Sequence, residues 1–449
     1  MSEVTVGIDI GTGSVKAVAA DADGNVLARA RVPHDMKVTA PDRLEHDANR
    51  AWRMGTRKAL KLLGRSDILG VSVAAMVPSL TAVDRRGVPH TPGLLYGDAR
   101  GRTPEAGAGN PAETGELVQF LKWSMEQYPE ARGFWPAQAV ANHALSGEAV
   151  LDTSTAACAM PLFDWVGWNQ EVMEATNVTI DQLPRLVPTG WRAGTVGGGA
   201  ESDGPALASG CIDAMAEQLV AGADNDGDVL VILGTTLITW AVTTKEAAAP
   251  GCFTIPHTSA GKLLTGGPSN AGGLFINWAL ANLGRAKGTP DPSSVPVWAP
   301  YPRGERTPYN NPYLKGFLGD LDLMHDAVSM RRAAFEASAF ITRRTIEAAG
   351  AQSKRVVLTG GGIRVPEWVQ AMADATQLPV DCVAVPEGGA LGSAFLARIA
   401  AGLESNMLDA SRWARVGTRV EPDPRWVEPT NQRYHRFLEL SDAVADGKI

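Results

Sequence analysis

One segment near the start of the chain combines an acid, a tight turn and a lysine: Asp9-Ile10-Gly11-Thr12-Gly13-Ser14-Val15-Lys16. A carboxylate at the end of a strand can hold a hydrated magnesium ion, and the N–H groups and hydroxyls of a Gly/Thr/Ser turn can contact phosphate oxygens. The segment lacks the Gly-x-x-x-x-Gly-Lys-Ser/Thr pattern of a Walker loop and the third glycine of a dinucleotide fingerprint. Phosphate binding and an ordinary hairpin turn therefore both stay open.

Two later glycine-containing segments offer similar chemistry. Gly234-Thr235-Thr236 ends an apolar run and repeats the pattern of the first turn, so the two turns together favour phosphate binding more than either does alone. Thr359-Gly360-Gly361-Gly362 lies between a strand pattern and a helix pattern. A plain connection needs one or two glycines, whereas three let a phosphate or a flat ligand approach the backbone closely. Both segments are candidate nucleotide contacts.

Asp213 is the candidate for proton transfer. It stands in Gly210-Cys211-Ile212-Asp213-Ala214-Met215-Ala216, among small apolar residues and directly before an alanine-rich helix. An acid at such a place is commonly a helix N-cap. The other interpretation is a general base, an ionised carboxylate that takes the proton from an attacking hydroxyl. Composition does not choose between the two roles.

The segment Tyr96-Gly97-Asp98-Ala99-Arg100 places an aromatic ring, an acid and a base within five residues. A surface turn with a local ion pair is the commoner reason for this pattern. The alternative is a sugar site, in which the ring stacks on the C–H face of a carbohydrate and the carboxylate accepts hydrogen bonds from its hydroxyls.

Strand and helix patterns place these candidates at the ends of elements. In the first half we predict strands over 4–9, 15–20, 26–32 and 68–73, a short apolar run over 80–83, and a helix over 48–63. In the second half we predict strands over 228–233, 237–242 and 355–358, helices over 326–349 and 366–377, a segment over 391–400 that follows a Gly388-Gly389 turn, and further helices after Gly402. A strand, a Gly-Thr turn and another strand thus occur early in each half, which predicts duplicated α/β domains.

Composition excludes several classes of protein. The 449 residues exceed the size of one hydrophobic core, and a net charge of −8 does not suit a nucleic-acid binder. The longest apolar window, 229–242, is too short to span a bilayer, and no signal-peptide pattern opens the chain. Four scattered cysteines and the absence of His-Glu-x-x-His predict reduced thiols and no zinc site. We expect a cytoplasmic enzyme without nucleic-acid or membrane partners.

The order of the motifs resembles the FGGY family of carbohydrate kinases, and within it the xylulose-like pentulose kinases, almost from end to end. The two Gly-Thr turns are similar to the family's phosphate motifs. Tyr96-x-Asp98-x-Arg100 is similar to its aromatic-x-Asp-x-Arg sugar segment, with Tyr where Trp is usual. Further similarities are Leu145-Ser146-Gly147-Glu148, a C-terminal signature with Gly304-Glu305-Arg306-Thr307-Pro308, Gly316-Phe317-Leu318-Gly319 and Glu336, and an adenosine motif with Thr359-Gly360-Gly361-Gly362, Trp368, Gln370 and Asp374.

The resemblance implies an α/β fold of two ribonuclease-H-like domains, of the actin, hexokinase and Hsp70 type, with ATP and magnesium in a cleft between them. It implies a sugar-binding domain over 1–218 and an ATP-binding domain over 219–449. It makes Asp213 the catalytic base and Asp9 the acid that helps to hold magnesium. The implied cofactor contacts are Gly11, Thr12, Gly13, Ser14, Lys16, Gly234, Thr235, Thr236, Gly360, Gly361 and Gly362, and the implied sugar contacts are Tyr96, Asp98, Arg100, Met76 and Asn270.

The chain departs from the xylulose kinase pattern in the loop after the strand that ends near Val73. Xylulose kinases carry a Met-His pair there and glycerol kinases an Arg-Glu pair, whereas this chain has Ala74-Ala75-Met76-Val77-Pro78-Ser79. We expect ATP-dependent phosphorylation of a terminal hydroxyl of a ketopentose, or of another small ketose or polyol such as ribulose, erythrulose, a pentitol or glycerol. A non-catalytic nucleotide-binding relative is the alternative class, and a homodimer stays open.

Overall fold

The computed structural model of the chain describes residues 3–40, 43–101, 115–198, 203–245, 249, 251–258, 261–284, 286–311 and 313–448. These residues form two compact units, which we call unit 1 (Met1–Val220 and Glu387–Trp413) and unit 2 (Ala221–Pro386 and Ala414–Ile449). The strands are β1 (Val4–Ile10), β2 (Ser14–Ala20), β3 (Val26–Pro33), β4 (Met36–Ala40), β5 (Arg43–His46), β6 (Ile68–Ala75), β7 (Ser79–Val83), β8 (Gly93–Leu95), β9 (Gly133–Trp135), β10 (Val150–Asp152), β11 (Arg185–Val187), β12 (Arg192–Thr195), β13 (Ala206–Ala208), β14 (Cys211–Ile212), β15 (Asp228–Leu233), β16 (Leu237–Thr243), β17 (Phe253–Pro256), β18 (Leu263–Ser269), β19 (Val297–Ala299), β20 (Phe317–Gly319), β21 (Arg355–Thr359), β22 (Val380–Val383) and β23 (Val416–Val420).

The helices fill the intervals between the strands. They are α1 (Gly55–Leu62), α2 (Glu116–Gln127), α3 (Ala137–Ser146), α4 (Thr153–Ala157), α5 (Gln170–Thr176), α6 (Asp213–Ala221), α7 (Gly273–Leu283), α8 (Ala327–Ala348), α9 (Pro366–Thr376), α10 (Gly388–Ala400) and α11 (Pro424–Ala445). A π-helical turn (Asn49–Met54) precedes α1, and short 3-10 helices cover Ala99–Gly101, Ile180–Gln182, Gly361–Arg364 and Met407–Trp413. No helix within the described ranges is long and apolar enough to cross a membrane.

The main sheet of unit 1 has the strand order β12-β13-β6-β1-β2-β3. The first three strands of the chain form an antiparallel meander, and β6 and β13 then add in parallel beyond β1. The short strand β14 also pairs in parallel with the end of β6. A smaller sheet, in the order β4-β5-β8-β7-β9, carries the segment that leads into Tyr96.

Unit 2 repeats this arrangement. Its sheet has the order β17-β18-β16-β15-β21-β22-β23, in which β15, β16 and β18 form the antiparallel meander and β21 and β22 add in parallel beyond β15. Each unit buries its own apolar cluster, with Val6 and Ile8 of β1 at the centre of one and Val229 and Val231 of β15 at the centre of the other. The duplicated α/β domains expected from the repeated strand and turn are confirmed.

Helix α10 lies directly on the main sheet of unit 1, although it comes late in the sequence. A Cβ atom on Gly7 would lie 1.8 Å from the carbonyl oxygen of Ala390, and one on Gly70 would lie 2.5 Å from that of Ala397. Only glycine allows so close an approach between strand and helix. Residues 387–413 therefore belong to unit 1, whereas the expectation from the sequence was an uninterrupted domain over 219–449. The sugar-binding and ATP-binding roles of the two domains stay predictions.

The tail after Gly402 contains the expected helices, over 407–413 and 424–445, and also a strand that the sequence did not predict. Residues 416–420 form β23, which pairs antiparallel with β22. Without β23, β22 would be the edge strand of this sheet, and an edge strand presents unpaired N–H and C=O groups. Val416, Thr418 and Val420 are β-branched and favour a strand, and pairing with these groups stabilises it.

Candidate active site

Two carboxylates meet at one end of the unit 1 sheet because three parallel strands stop there in register. Ala74 of β6 is paired with Asp9 of β1 on one side and with Cys211 of β14 on the other. Asp213 follows two residues after Cys211, at the start of α6. The carboxyl ends of parallel strands are the usual place for a ligand site in α/β sheets. The predicted pairing of Asp9 with Asp213 at one site thus follows from strand register.

The burial and the neighbouring charges of Asp213 suit a role as a general base. Burial, and then the negative charge of Asp9, raise the pKa of Asp213 to about 6, while the N–H of Ala214 and the charge of Lys16 act in the opposite direction. The Ala214 N–H donates to Oδ1 of Asp213 over 2.7 Å. A carboxylate with this pKa is ionised at pH 7 and accepts a proton more readily than an ordinary aspartate does.

Asp9 is held from two directions. Lys16 donates to Oδ2 of Asp9 over 3.1 Å, and this contact is the largest cause of the raised pKa of Lys16. The N-terminal turn of α10 packs against the same carboxylate, since a Cβ atom on Gly389 would lie 3.2 Å from Cγ of Asp9. The positive end of a helix dipole favours a nearby anion. Asp9 is therefore a positioned charge next to the predicted base.

The turn between β1 and β2 is held closed and tied to neighbouring segments. Gly11 N–H donates to the carbonyl oxygen of Ser14 over 3.1 Å. The hydroxyl of Thr12 lies 2.9 Å from the phenolic oxygen of Tyr96, and Arg31 donates to the Ser14 hydroxyl over 3.1 Å. The predicted phosphate turn and the predicted sugar segment are thus in direct contact.

Within the predicted sugar segment, Asp98 and Arg100 bind each other. The Asp98 carboxylate is fully buried and accepts hydrogen bonds from Leu44 N–H, Arg100 N–H and two guanidinium nitrogens of Arg100, over 2.6–2.9 Å. Arg100 also pairs with Glu45 at 2.9 Å and lies 4.7 Å from the ring centroid of Trp123. A direct sugar contact by Asp98 would require one of these bonds to break. The structure thus shows Asp98 and Arg100 bound to each other, and leaves the half-buried Tyr96 as the aromatic candidate for a sugar contact.

Met76 follows β6 at the edge of the same site. Its side chain is 2% exposed and belongs to the unit 1 core, so the predicted sugar contact by Met76 is reduced to packing beneath the site. Val77 is half-buried and offers no hydrogen-bonding side chain. The loop that carries a histidine in xylulose kinases is therefore apolar here.

In unit 2, the two glycine-containing segments lie side by side, because Ile232 of β15 pairs in parallel with Thr359 of β21. The carbonyls of Gly234 and Thr235 accept hydrogen bonds from Gly273 N–H and Leu274 N–H at the start of α7, each over 2.9 Å. The C=O and N–H of a trans peptide point in opposite directions, so the N–H groups that follow these carbonyls face away from α7. This is a suitable arrangement for anion contacts.

The three glycines after β21 differ in their surroundings. A Cβ atom on Gly360 would lie 2.9 Å from the carbonyl oxygen of Leu233, and one on Gly362 would lie 2.5 Å from Cβ of Leu233. A Cβ atom on Gly361 would meet nothing within 4 Å. Packing thus requires glycine at Gly360 and Gly362, and Gly361 is the residue that faces open space.

Several other residues that the resemblance singled out hold unit 2 together. The side-chain amide of Asn270 donates to the carbonyls of Arg303 and Gly304, over 3.3 and 3.0 Å, so the predicted sugar contact by Asn270 would have to break bonds that position this segment. Trp368 is buried and donates to Ser338, and Asp374 binds Arg332 at 2.7 Å. The adenosine motif therefore supplies packing and ion pairs at these two positions.

Glu217 and Gln138 are among the residues of the unit 1 site that the sequence did not predict. Glu217 lies one helical turn after Asp213 on α6 and contributes to the raised pKa of Lys16; its signal was the i,i+4 spacing from Asp213. Gln138 of α3 donates to the carbonyls of Val73 and Cys211, over 3.3 and 3.0 Å, and so ties β6 to β14 next to the site. Nothing in the alanine-rich sequence around Gln138 indicates this role.

The two units, each an antiparallel meander extended by parallel strands, define the class of α/β proteins with two actin- or hexokinase-like domains. Two solved structures from Lactobacillus acidophilus are similar over nearly the whole chain. A gluconate kinase matches with a TM-score of 0.81 at 20% identity, covering 99% of both chains. A ligand-bound xylulose kinase matches with a TM-score of 0.80 at 20% identity, covering 99% of this chain and 98% of the other. The expected fold class is confirmed.

The chain belongs to the FGGY family of carbohydrate kinases. The model of the family's N-terminal domain matches residues 4–203, and that of its C-terminal domain matches residues 229–401. A xylulose kinase of Escherichia coli (strain K12) is 27% identical over 497 aligned positions, which cover 97% of this chain and 98% of the relative. The expected family and the expected enzyme class, a sugar kinase, are confirmed.

Proposed function

We propose that this kinase transfers the γ-phosphoryl group of ATP to a terminal hydroxyl of a small ketose or polyol, with a ketopentose as the leading candidate. The observation that carries the proposal is the position of Asp213, with its raised pKa, beside Asp9 and Lys16 at the carboxyl ends of three registered strands. A protein that only binds nucleotide needs no sugar-side base, so Asp213 favours a catalyst over a non-catalytic relative.

In the proposed reaction, Asp213 takes the proton of the attacking hydroxyl. The hydroxyl oxygen forms a bond to the γ-phosphorus while the bond from that phosphorus to the bridging oxygen breaks, which releases ADP and the sugar phosphate. Phosphoryl transfer depends mainly on positioning and charge neutralisation. In unit 1, Lys16 supplies a fixed positive charge and the Gly11–Ser14 turn supplies backbone N–H groups and hydroxyls for phosphate oxygens. In unit 2, the Gly234–Thr236 turn offers the same kinds of group.

The residues around Asp9 fit a magnesium ion that arrives with the nucleotide. Among the described residues, no three His, Cys, Asp or Glu side chains cluster as a metal cage. Magnesium bound with a nucleotide does not need one, since it is commonly held by one or two carboxylates, phosphate oxygens and water. Asp9 would be the protein ligand, and the ion would neutralise charge on the phosphates. This role of Asp9 is part of the proposal.

The loop at the end of β6 restricts the range of candidate substrates. Relatives with nearly the same fold are named for xylulose and for gluconate, so the fold does not choose the sugar. Met76 and Val77 present only apolar groups here, and a hydroxyl that a histidine would bind is left without its partner. We therefore propose a polyhydroxy substrate whose contacts come chiefly from Asp213 and Tyr96.

A screen for ADP release tests the proposal. Purified protein is incubated with MgATP and, in separate reactions, ketopentoses, ketotetroses, pentitols, glycerol and gluconate, with the Asp213→Asn variant as the matched control. We expect ADP release that depends on one of these compounds and is lost in the variant. ADP release that none of them stimulates would contradict the proposed substrate class, and equal turnover by the variant would remove Asp213 from the mechanism.

A further inference from the structure

The buried side of the Gly11–Ser14 turn is held by a histidine that no motif predicted. Nε2 of His46 lies 2.8 Å from the carbonyl oxygen of Thr12, and the indole N–H of Trp52 donates to Nδ1 of His46 over 3.0 Å. His46 is 1% exposed and Trp52 is fully buried. His46 ends β5, and Trp52 lies in the π-helical turn that follows, so the pair is built into the fold beneath the turn.

The two partners determine a single protonation state for His46. An indole N–H can only donate, so Nδ1 accepts; a carbonyl can only accept, so Nε2 carries the proton and donates. The imidazole is therefore neutral, with its hydrogen on Nε2. Burial lowers the pKa of His46 to about 4, which keeps this neutral form at pH 7.

The hydrogen bond to Thr12 orients the peptide that faces the site. Because C=O and N–H point in opposite directions across a trans peptide, a Thr12 carbonyl directed at His46 turns Gly13 N–H away from His46. A Cβ atom on Gly13 would meet nothing within 4 Å, so this part of the turn faces open space. The carbonyl of Gly13 is held too, by His34 N–H over 3.2 Å.

In unit 2, the Gly234–Thr236 turn is also oriented by hydrogen bonds to its carbonyls, but the donors are different. There the carbonyls of Gly234 and Thr235 are held by backbone N–H groups of α7, as described above. A Cβ atom on Gly272 would lie 2.2 Å from the carbonyl carbon of Thr236, so the helix approaches the turn as closely as glycine permits. In unit 1 no helix N-terminus performs this task in the described residues, and the imidazole of His46 takes its place.

We propose that His46, oriented by Trp52, is a positioning residue that presents Gly13 N–H to a nucleotide phosphate. The inference rests on the proposed nucleotide-binding function of the turn. Without the His46 hydrogen bond, the Thr12–Gly13 peptide is free to rotate. The peptide must then be ordered when the nucleotide binds, which lowers the affinity for the nucleotide. Thr12 contacts Tyr96 of the sugar segment through its side-chain hydroxyl, which is not part of this peptide, so the larger effect is expected on the nucleotide.

The test is MgADP binding, measured by calorimetry without any sugar, together with the KM for the sugar. We expect His46→Leu to raise the Kd of MgADP about tenfold, equal to about 1.4 kcal/mol, with less than a twofold change in the KM for the sugar. His46→Gln keeps a donor and an acceptor, and should restore the Kd to within about threefold of the wild-type value. His90→Leu is the matched control, since His90 stacks on Tyr128 at 4.6 Å and does not contact the turn.

Several outcomes would overturn the inference. A wild-type Kd in folded His46→Leu protein would do so, as would equal weakening by the Leu and Gln variants. If His46→Leu does not fold, Trp52→Phe decides: it keeps the imidazole but removes the donor to Nδ1, and an unchanged Kd for MgADP would overturn the proposal. Wild-type protein that binds MgADP but phosphorylates no sugar would contradict the proposed function alone, because the binding comparison needs no sugar.

Discussion

Nζ of Lys16 lies 3.1 Å from Oδ2 of Asp9, and the two residues are directly opposite each other on the paired strands β1 and β2. They act in opposite directions on the nearby Asp213, whose pKa the charge of Asp9 raises and that of Lys16 lowers. Together with burial, they leave Asp213 ionised at pH 7 but more basic than an exposed aspartate. The two charges on this strand pair thus adjust the basicity that burial gives to the proposed catalytic group.

Turnover is expected to depend on Asp213. Asp213→Asn removes the proton acceptor and keeps the side-chain size, so kcat should fall by about 100- to 10,000-fold, the usual contribution of a general base. Calorimetry should show MgADP binding within about threefold of the wild-type value. Near-normal kcat in the purified variant would contradict the assignment of Asp213.

Activity is expected to fall in acid. A base with a pKa of about 6 is protonated below that pH, so kcat/KM for the sugar should fall about tenfold per pH unit below about 6. Lys16→Met removes a charge that lowers the pKa of Asp213, so the acid limb of the profile should move to higher pH. Arg29→Met, which removes a half-exposed cation paired with Glu387, should leave the limb in place. A limb that Lys16→Met does not move would show that another group titrates.

Asp9 is expected to set the magnesium requirement. Asp9→Ala removes the proposed ligand, so the magnesium concentration for half-maximal activity should rise, whereas the loss of a purely structural acid would change stability alone. A magnesium titration of both proteins at saturating ATP measures this. An unchanged half-saturating concentration with normal turnover would exclude Asp9 as a ligand.

The glycines after β21 offer a matched pair of substitutions. Gly361→Ala adds a methyl group to open space, so it should raise the KM for ATP and leave the melting temperature within about 2 °C. Gly362→Ala places a methyl group 2.5 Å from Cβ of Leu233, and should destabilise the fold by about 1–3 kcal/mol through overpacking. Thermal melts and ATP kinetics on both variants separate the two effects. Unchanged ATP kinetics in Gly361→Ala would indicate that Gly361 does not approach the nucleotide.

The enzyme is expected to be a poor xylulose kinase compared with its activity on another small polyhydroxy substrate. A missing hydrogen-bond partner costs about 1–3 kcal/mol, or about 5- to 150-fold in kcat/KM. Val77→His restores an imidazole after Met76 and should raise kcat/KM for D-xylulose, with Val77→Leu as the apolar control. If wild-type protein prefers D-xylulose to every other ketose and polyol in the screen, the apolar loop does not limit this substrate.

The local pattern of residue types was sufficient to predict much of the fold. Alternation of apolar residues and Gly-Thr turns predicted β1, β2, β15 and β16 within a residue or two, and the duplicated strand and turn predicted the duplicated domains. The local pattern did not predict β23, because so short an edge strand forms only where a neighbouring strand offers free hydrogen-bonding groups. Periodicity in the sequence indicates that an element is buried on one face, but it does not indicate which distant strand the element pairs with.

For the candidate site, the sequence by itself determined which residues could do chemistry: Asp9 and Asp213 as acids, and the Gly-Thr turns as phosphate contacts. Tertiary structure decided how these residues are used. From the sequence, Asp98 could bind either a sugar or an arginine. The structure shows that its carboxylate accepts hydrogen bonds from Arg100 and from Leu44 N–H. No sequence pattern indicated the role of His46. That role depends on a tautomer that is set by Trp52 and by the Thr12 carbonyl, 34 residues away from His46, and such contacts exist only once the strands have paired.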